Sequence, residues 1–133
     1  VGKVAAKKIV KTNAAKSYGT YSELTRSGAK DAHHIIQNVA VRDLPGYSRS
    51  AAPAVQLRGP STSVGSEHYL ATQVQRQAGG GTYAAERRIG YKALRRAGIS
   101  ESEARFLIEY ADNYFINELG LNYSSPTRIP GNR

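Results

Sequence analysis

The chain carries three histidines, His33, His34 and His68, and all three fall in two short motifs. Two of them open an apolar extended run, Asp31-Ala32-His33-His34-Ile35-Ile36. The third sits where a helix begins, in Gly65-Ser66-Glu67-His68-Tyr69. A lone histidine is more often structural than functional, but this confinement points to shared chemistry. Neutral imidazole binds a divalent cation through one ring nitrogen, and a pKa near 6.5 suits a general base at neutral pH. Hydrolysis of a phosphodiester needs both roles: a cation to neutralise the phosphate and leaving oxygen, and a base to deprotonate water. A histidine pair on a strand, with one more from a following helix, supplies both. Glu67 can add a supporting carboxylate or a contact through water.

The composition narrows the alternatives. There is no cysteine, which excludes disulfides, cysteine zinc sites, iron–sulfur clusters and thiol nucleophiles. Hydrophobic residues make up 40% of the 133, too many for a disordered tail and ordinary for one small domain. No apolar run is long enough to span a membrane, and Lys3, Lys7 and Lys8 interrupt any signal-peptide core. The net charge is +9, unevenly spread: residues 1–30 contribute +6 and 84–98 contribute +4, whereas 99–120 contribute −4. The chain opens without Met inside a basic pattern that has no helix cap, which suggests a domain cut from something longer.

The elements that must position the histidines are legible from punctuation. Val1–Ser17 has helical spacing, with Val4, Ala5, Lys8, Ile9 and Thr12 near one face. It reads as a basic helix, linker or phosphate-touching arm. Ala32–Gln37 and Ala54–Arg58 read as short strands, bounded by the turns Pro45-Gly46 and Gly59-Pro60. The long connection between them reads as a functional loop. Ser66 caps a helix over Glu67–Gln77, and Gly79-Gly80-Gly81 ends it as a flexible connector. Thr82 caps a helix reaching Ala97, closed by Gly98 with Ile99 in the Schellman position. Ser100 and Glu103 suggest a capping box for a last helix, stopped by Gly120. Its stripe of Ala104, Leu107, Ile108, Ala111, Tyr114 and Phe115 has the spacing of a buried face.

The Ala-His-His triplet, the extended Ala-Pro-Ala-Val-Gln-Leu and the helix-opening Gly-Ser-Glu-His-Tyr, in that order, resemble the HNH/endonuclease VII superfamily. The nearest branch is the one named for its Ala-His-His motif, found as C-terminal toxin domains of bacterial polymorphic toxins. The resemblance covers roughly residues 30–78. It implies an α+β fold, mostly helical overall. Its centre is a ββα-metal core, a hairpin with a long loop packed on a helix, with further helices flanking it. It further implies that His33 and His68 are metal ligands and that His34 is the general base activating water. Residues 29–133 would then be the nuclease toxin domain, and residues 1–28 a basic helix, arm or linker before it.

Two departures from the superfamily pattern stand out. Its middle Asn has no clear counterpart in Ser50-Ala51-Ala52-Pro53, and Thr72 occupies the place of a second helix histidine. Two protein imidazoles leave room for water and substrate phosphate around one divalent ion, which favours Mg²⁺ or Mn²⁺, with Zn²⁺ or Ni²⁺ open. Neighbouring side chains on a regular strand point to opposite faces, so His33 and His34 share a site only if the strand ends or bulges. On a regular strand Asp31 joins His33 on its face and becomes the reserve ligand.

Arg88, Lys92, Arg95 and Arg96 share one helix face, either a solvated surface paired with the acidic last helix or a stripe that follows phosphates. Arg58, ending the second strand, is the candidate contact for the scissile phosphate. The leading expectation is a metal-dependent, largely sequence-nonspecific endonuclease with DNA favoured. It would be delivered by an upstream domain into a target bacterial cytoplasm and held in check by an acidic immunity partner. The rivals are a metal-independent ribonuclease toxin and a non-catalytic basic module that binds nucleic acid.

Overall fold

The computed structural model describes residues 7–9, 16–28, 31–77 and 79–129. A four-stranded antiparallel sheet forms the centre, from β1 (Lys7–Ile9), β2 (Lys16–Thr20), β3 (Ala32–His34) and β4 (Pro53–Gln56), in the spatial order β1-β2-β4-β3. Helix α1 (Tyr21–Arg26) follows β2, and the short α2 (Asn38–Val41) lies in the connection between β3 and β4. Then come α3 (Glu67–Gln75), α4 (Tyr83–Arg96) and α5 (Glu101–Asp112), the last continuing into a π-helical segment, Asn113–Glu118. This is the expected α+β class, with the β3–β4 hairpin and α3 as its ββα unit.

The helix expected over Val1–Ser17 is corrected wherever the residues are described. Lys7–Ile9 and Lys16–Thr20 are strands, paired Lys7 to Tyr18, Lys8 to Ser17 and Ile9 to Lys16. The remainder of that stretch lies outside the described residues. The reason is tertiary: β2 also pairs with β4, Tyr18 opposite Val55, and buries Tyr18 in the core. A sheet neighbour on both sides outweighs a modest helical spacing that Ile9 and Val10, both β-branched, support poorly. Thr20 then starts α1 with a reciprocal capping box to Glu23.

The three later helices begin where their caps lie. Ser66 accepts from the Tyr69 amide, Thr82 from Ala85 and Ser100 from Glu103. At Ser100 the box is not closed through the backbone, because the hydroxyl itself donates to the Glu103 carboxylate. The Ile99 amide reaches back to the Leu94 carbonyl, completing the Schellman turn after α4. Gly59 makes the turn before α3 with φ of 80°, and a Cβ there would sit 2.6 Å from that of Ser66. The stripe from Ala104 to Phe115 is buried throughout, as expected.

Contacts on two sides fix the surroundings of the histidine pair. Gly90 lets α4 approach the backbone just beyond β3, where an added Cβ would lie 2.7 Å from the Ile35 carbonyl oxygen. Nearby, buried Gln37 donates to Glu86 of α4 at 2.7 Å. On the other side, the Ser48 amide donates to the Tyr114 hydroxyl, and Tyr47 packs its ring on Phe115. The long loop between β3 and β4 is thereby anchored on the C-terminal helix.

In an ordinary helix interior, Gly to Ala gains about 1 kcal/mol. Gly90→Ala is expected to do the reverse and lower the melting temperature, because the Ile35 carbonyl is backbone and cannot swing aside. Thermal denaturation beside Lys92→Ala, an exposed α4 control expected to stay within about 0.5 kcal/mol of wild type, checks this.

Candidate active site

The β3–β4 ladder is regular, with Ala32 opposite Gln56, His33 opposite Val55 and His34 opposite Ala54. No extra residue interrupts it, so the two side chains leave on opposite faces. But β3 ends at His34, and the strand end rather than a bulge is what meets the condition for both rings to serve one site. His33 turns inward and is only 3% exposed. His34 turns to the side of α1 and the loop.

On the inner face, His33 meets His68 from the first turn of α3. Their ring centroids are 5.3 Å apart and their planes nearly perpendicular. Gln75, two helical turns beyond His68 and therefore on its face, donates its amide N–H to His33 Nε2 at 3.2 Å. That nitrogen already presents a lone pair, which leaves the proton on Nδ1. Burial, with help from His68 and then His34, pushes the His33 pKa down to about 3. His68 is also lowered by burial, against the opposing pull of the Asp31 carboxylate and the Gly59 backbone. Both rings are therefore neutral at pH 7. The His68 Nδ1 is buried with no hydrogen-bond partner of proper geometry.

A divalent cation would suit this pair of neutral imidazoles: it would take up the orphaned His68 nitrogen, and at His33 it would replace the Gln75 amide as partner of the Nε2 lone pair. Among the described residues no group of three His, Asp or Glu side chains gathers to hold a metal. Asp31 accordingly does not complete a third ligand. It has a left-handed backbone, φ 61°, so the strand alternation that would align it with His33 stops before β3. Glu67 is engaged elsewhere, accepting from the Arg58 backbone and guanidinium, each at 2.8 Å.

On the outer face, His34 Nε2 lies 3.1 Å from the Arg49 carbonyl. A carbonyl only accepts, so Nε2 carries the proton and Nδ1 the lone pair. Burial lowers the His34 pKa, the carbonyl bond partly restores it, and the Arg49 charge lowers it again. Tyr21 stacks on the His34 ring. Gln75, Tyr21 and Arg49 were not singled out from the sequence. Only Gln75 left a signal, its seven-residue spacing from His68.

The basic residues divide. Arg58 stands beside the site, since its carbonyl accepts the His68 amide, and its guanidinium is exposed but paired with Glu67. Arg88, Lys92 and Arg95 are exposed on α4, which packs against α3. Arg88 and Lys92 line a groove of about 510 Å³ between α4 and α5, with Arg87, Tyr91, Arg105 and Glu109. The pairing between helices runs through Arg87, which grips Asp112 with two nitrogens.

A family model described as an HNH/Endo VII superfamily toxin with a SHH signature matches residues 27–116. The span holds all three histidines, and the chain reads Ala-His-His at 32–34. The match therefore supports the superfamily and the toxin class, and not specifically the Ala-His-His branch. No curated protein and no solved structure matches the chain.

Buried neutral histidines make stability depend on pH. The unfolded chain takes up protons near pH 6.5 while folded His33 does not until about 3, so stability falls as pH drops through that window. His33 alone is expected to cost about 2 kcal/mol between pH 7 and pH 5. Urea unfolding of the metal-free protein at the two pH values, beside His33→Gln, should show the loss shrinking in the variant.

Proposed function

This chain belongs to the HNH/endonuclease VII superfamily of toxins, and on that premise we propose that it is a metal-dependent, largely sequence-nonspecific endonuclease with DNA as its favoured substrate. The observation that carries the reading is the division of labour across β3: two neutral imidazoles face each other inside, and a third stands outside with a fixed tautomer. His33 and His68 would hold one divalent ion. When bound, that ion supplies charge neutralisation at the phosphate and the leaving oxygen, with Mg²⁺ or Mn²⁺ favoured and Zn²⁺ or Ni²⁺ also suited to imidazole.

His34 is the general base. Its Nδ1 takes a proton from water, the oxygen attacks phosphorus, and the bond to the 3′-oxygen breaks. The departing 3′-oxygen acquires a proton from solvent, and His34 returns its own to solvent. Neutrality at pH 7 is the condition for this step, and the lowered pKa of His34 supports it. Arg58 is the proposed phosphate contact on the His68 side, exchanging Glu67 for the substrate. Arg88, Lys92 and Arg95 are proposed to follow the nucleic-acid backbone without reading bases.

The biological setting extends the same reading. Residues 29–133 are the proposed nuclease domain and residues 1–28 the basic segment before it; of that segment, β1 and β2 pair into the sheet and α1 packs against it. An upstream delivery domain would carry it into a target cell to act in the cytoplasm. An acidic immunity protein would protect the producer.

Supercoiled plasmid is expected to be nicked with Mg²⁺ or Mn²⁺ and left intact in EDTA. His34→Ala should lower the rate by about 10²–10⁴-fold while retaining metal binding. His33→Ala and His68→Ala should lose both. Cleavage of RNA alone, undiminished in EDTA, would favour the ribonuclease alternative. Salt-sensitive binding without cleavage of either nucleic acid would favour the non-catalytic one.

A further inference from the structure

The outer face of β3 carries a cluster beyond the histidine itself. The His34 ring lies on the Tyr21 ring with centroids 4.4 Å apart and planes within 10°. The Arg49 guanidinium carbon is 4.5 Å from the centroid of the same tyrosine, and its Nη2 donates to the tyrosine hydroxyl at 3.3 Å. The Arg49 carbonyl is also the acceptor that fixes His34. Three elements distant in sequence thus meet at one point.

Tyr21 and Arg49 are supported through the same loop. Tyr21 is held by its amide on the Ala52 carbonyl, with Ser22 on Ser50 alongside, and Arg49 sits in the loop anchored through Ser48 on Tyr114. Tyr21 precedes residue 27, where the family match begins.

The state of Arg49 distinguishes it from the other arginines with described partners. Arg58, Arg87, Arg105 and Arg128 each pair with a carboxylate. Among the described residues none pairs with Arg49, which is exposed and held by an aromatic face instead. Stacking orients a guanidinium without neutralising it. The planar fork therefore keeps its full charge, and the donors it does not give to the Tyr21 hydroxyl are left for an anion, which a guanidinium edge can meet at two phosphate oxygens at once.

We propose that Arg49 binds the scissile phosphate on the His34 side of the hairpin, and that Tyr21 is the positioning residue that aligns Arg49 and His34 on that phosphate. This rests on the nuclease reading. The substrate phosphate would then be gripped from two sides, by Arg49 beside the base and from the His33–His68 face. Arg49 exchanges no proton and forms no covalent bond. It orients the phosphorus toward the water that His34 activates and offsets the charge that builds on the non-bridging oxygens.

The test is steady-state cleavage of duplex DNA with Mg²⁺ or Mn²⁺ by wild type and by His34→Ala, Arg49→Ala, Arg49→Lys, Tyr21→Leu and Tyr21→Phe. Arg49→Ala should lose about 10²-fold in kcat/KM, the scale of one lost charge-stabilising donor. Its melting temperature and Zn²⁺ affinity should be unchanged. Millimolar guanidinium should restore part of its rate, which a structural defect would not allow. Arg49→Lys should recover only part, since a point charge replaces a fork. Tyr21→Leu should fall at least tenfold, and Tyr21→Phe should regain most of that. Arg49→Ala cutting at the wild-type rate, or a loss that guanidinium leaves untouched, overturns the proposal while the nuclease reading stands on His34→Ala. Undiminished cutting by His34→Ala, or no cutting by wild type, overturns both.

Discussion

Backbone pairing between β3 and β4 is the constraint from which the candidate site follows. Because the ladder is unbroken at His33 and His34, the pleat sends one imidazole into the protein and the other toward the α1 side. Adjacent residues of the same type thereby acquire different chemistry. His33 loses nearly all contact with water and becomes a poor base, while its lone pair stays directed by Gln75. His34 is fixed in one tautomer by a carbonyl that a distant loop delivers. A one-residue slip of the strand would exchange the two environments.

Much of the remaining structure serves to keep that strand where it is. Behind it, α4 comes close enough at Gly90 to touch the Ile35 carbonyl, and Glu86 holds Gln37 at the start of α2. In front, Tyr47 and Tyr114 bind the β3–β4 loop to the C-terminal helix, so that the position of Arg49 depends on aromatic packing far along the chain. Ser66 caps α3 and also donates to the Pro60 carbonyl, which sets where His68 begins its helix. The site is therefore small in residues but wide in its supports.

The parts of this arrangement legible in the sequence were the local ones. Ser66, Thr82 and Ser100 announced three helices because a cap satisfies amides two or three residues away. The buried stripe of α5 was legible because helical spacing is a property of the segment itself. The strand β2 was not, since its other partner, β4, lies more than thirty residues distant, Tyr18 opposite Val55. Thr20 and Glu23 did form a readable capping box, hidden within a stretch read as the end of a basic arm. At the site, the histidines stood out by type and spacing, and the choice between a bulge and a regular strand needed the ladder itself. Tyr21 and Arg49 were invisible for a related reason: neither lies near His34 in sequence, and stacking leaves no spacing rule.

The central claim is that His33 and His68 share one ligand pocket while His34 stands apart from it. It is tested most directly by long-range ¹H–¹⁵N NMR of the three imidazoles at pH 7, with and without Zn²⁺ as the probe. The account predicts a coordination shift of one nitrogen on each of His33 and His68, with His34 remaining protonated at Nε2 and unshifted at Nδ1. Coordination at His34, or a metal that leaves His33 untouched, would contradict it.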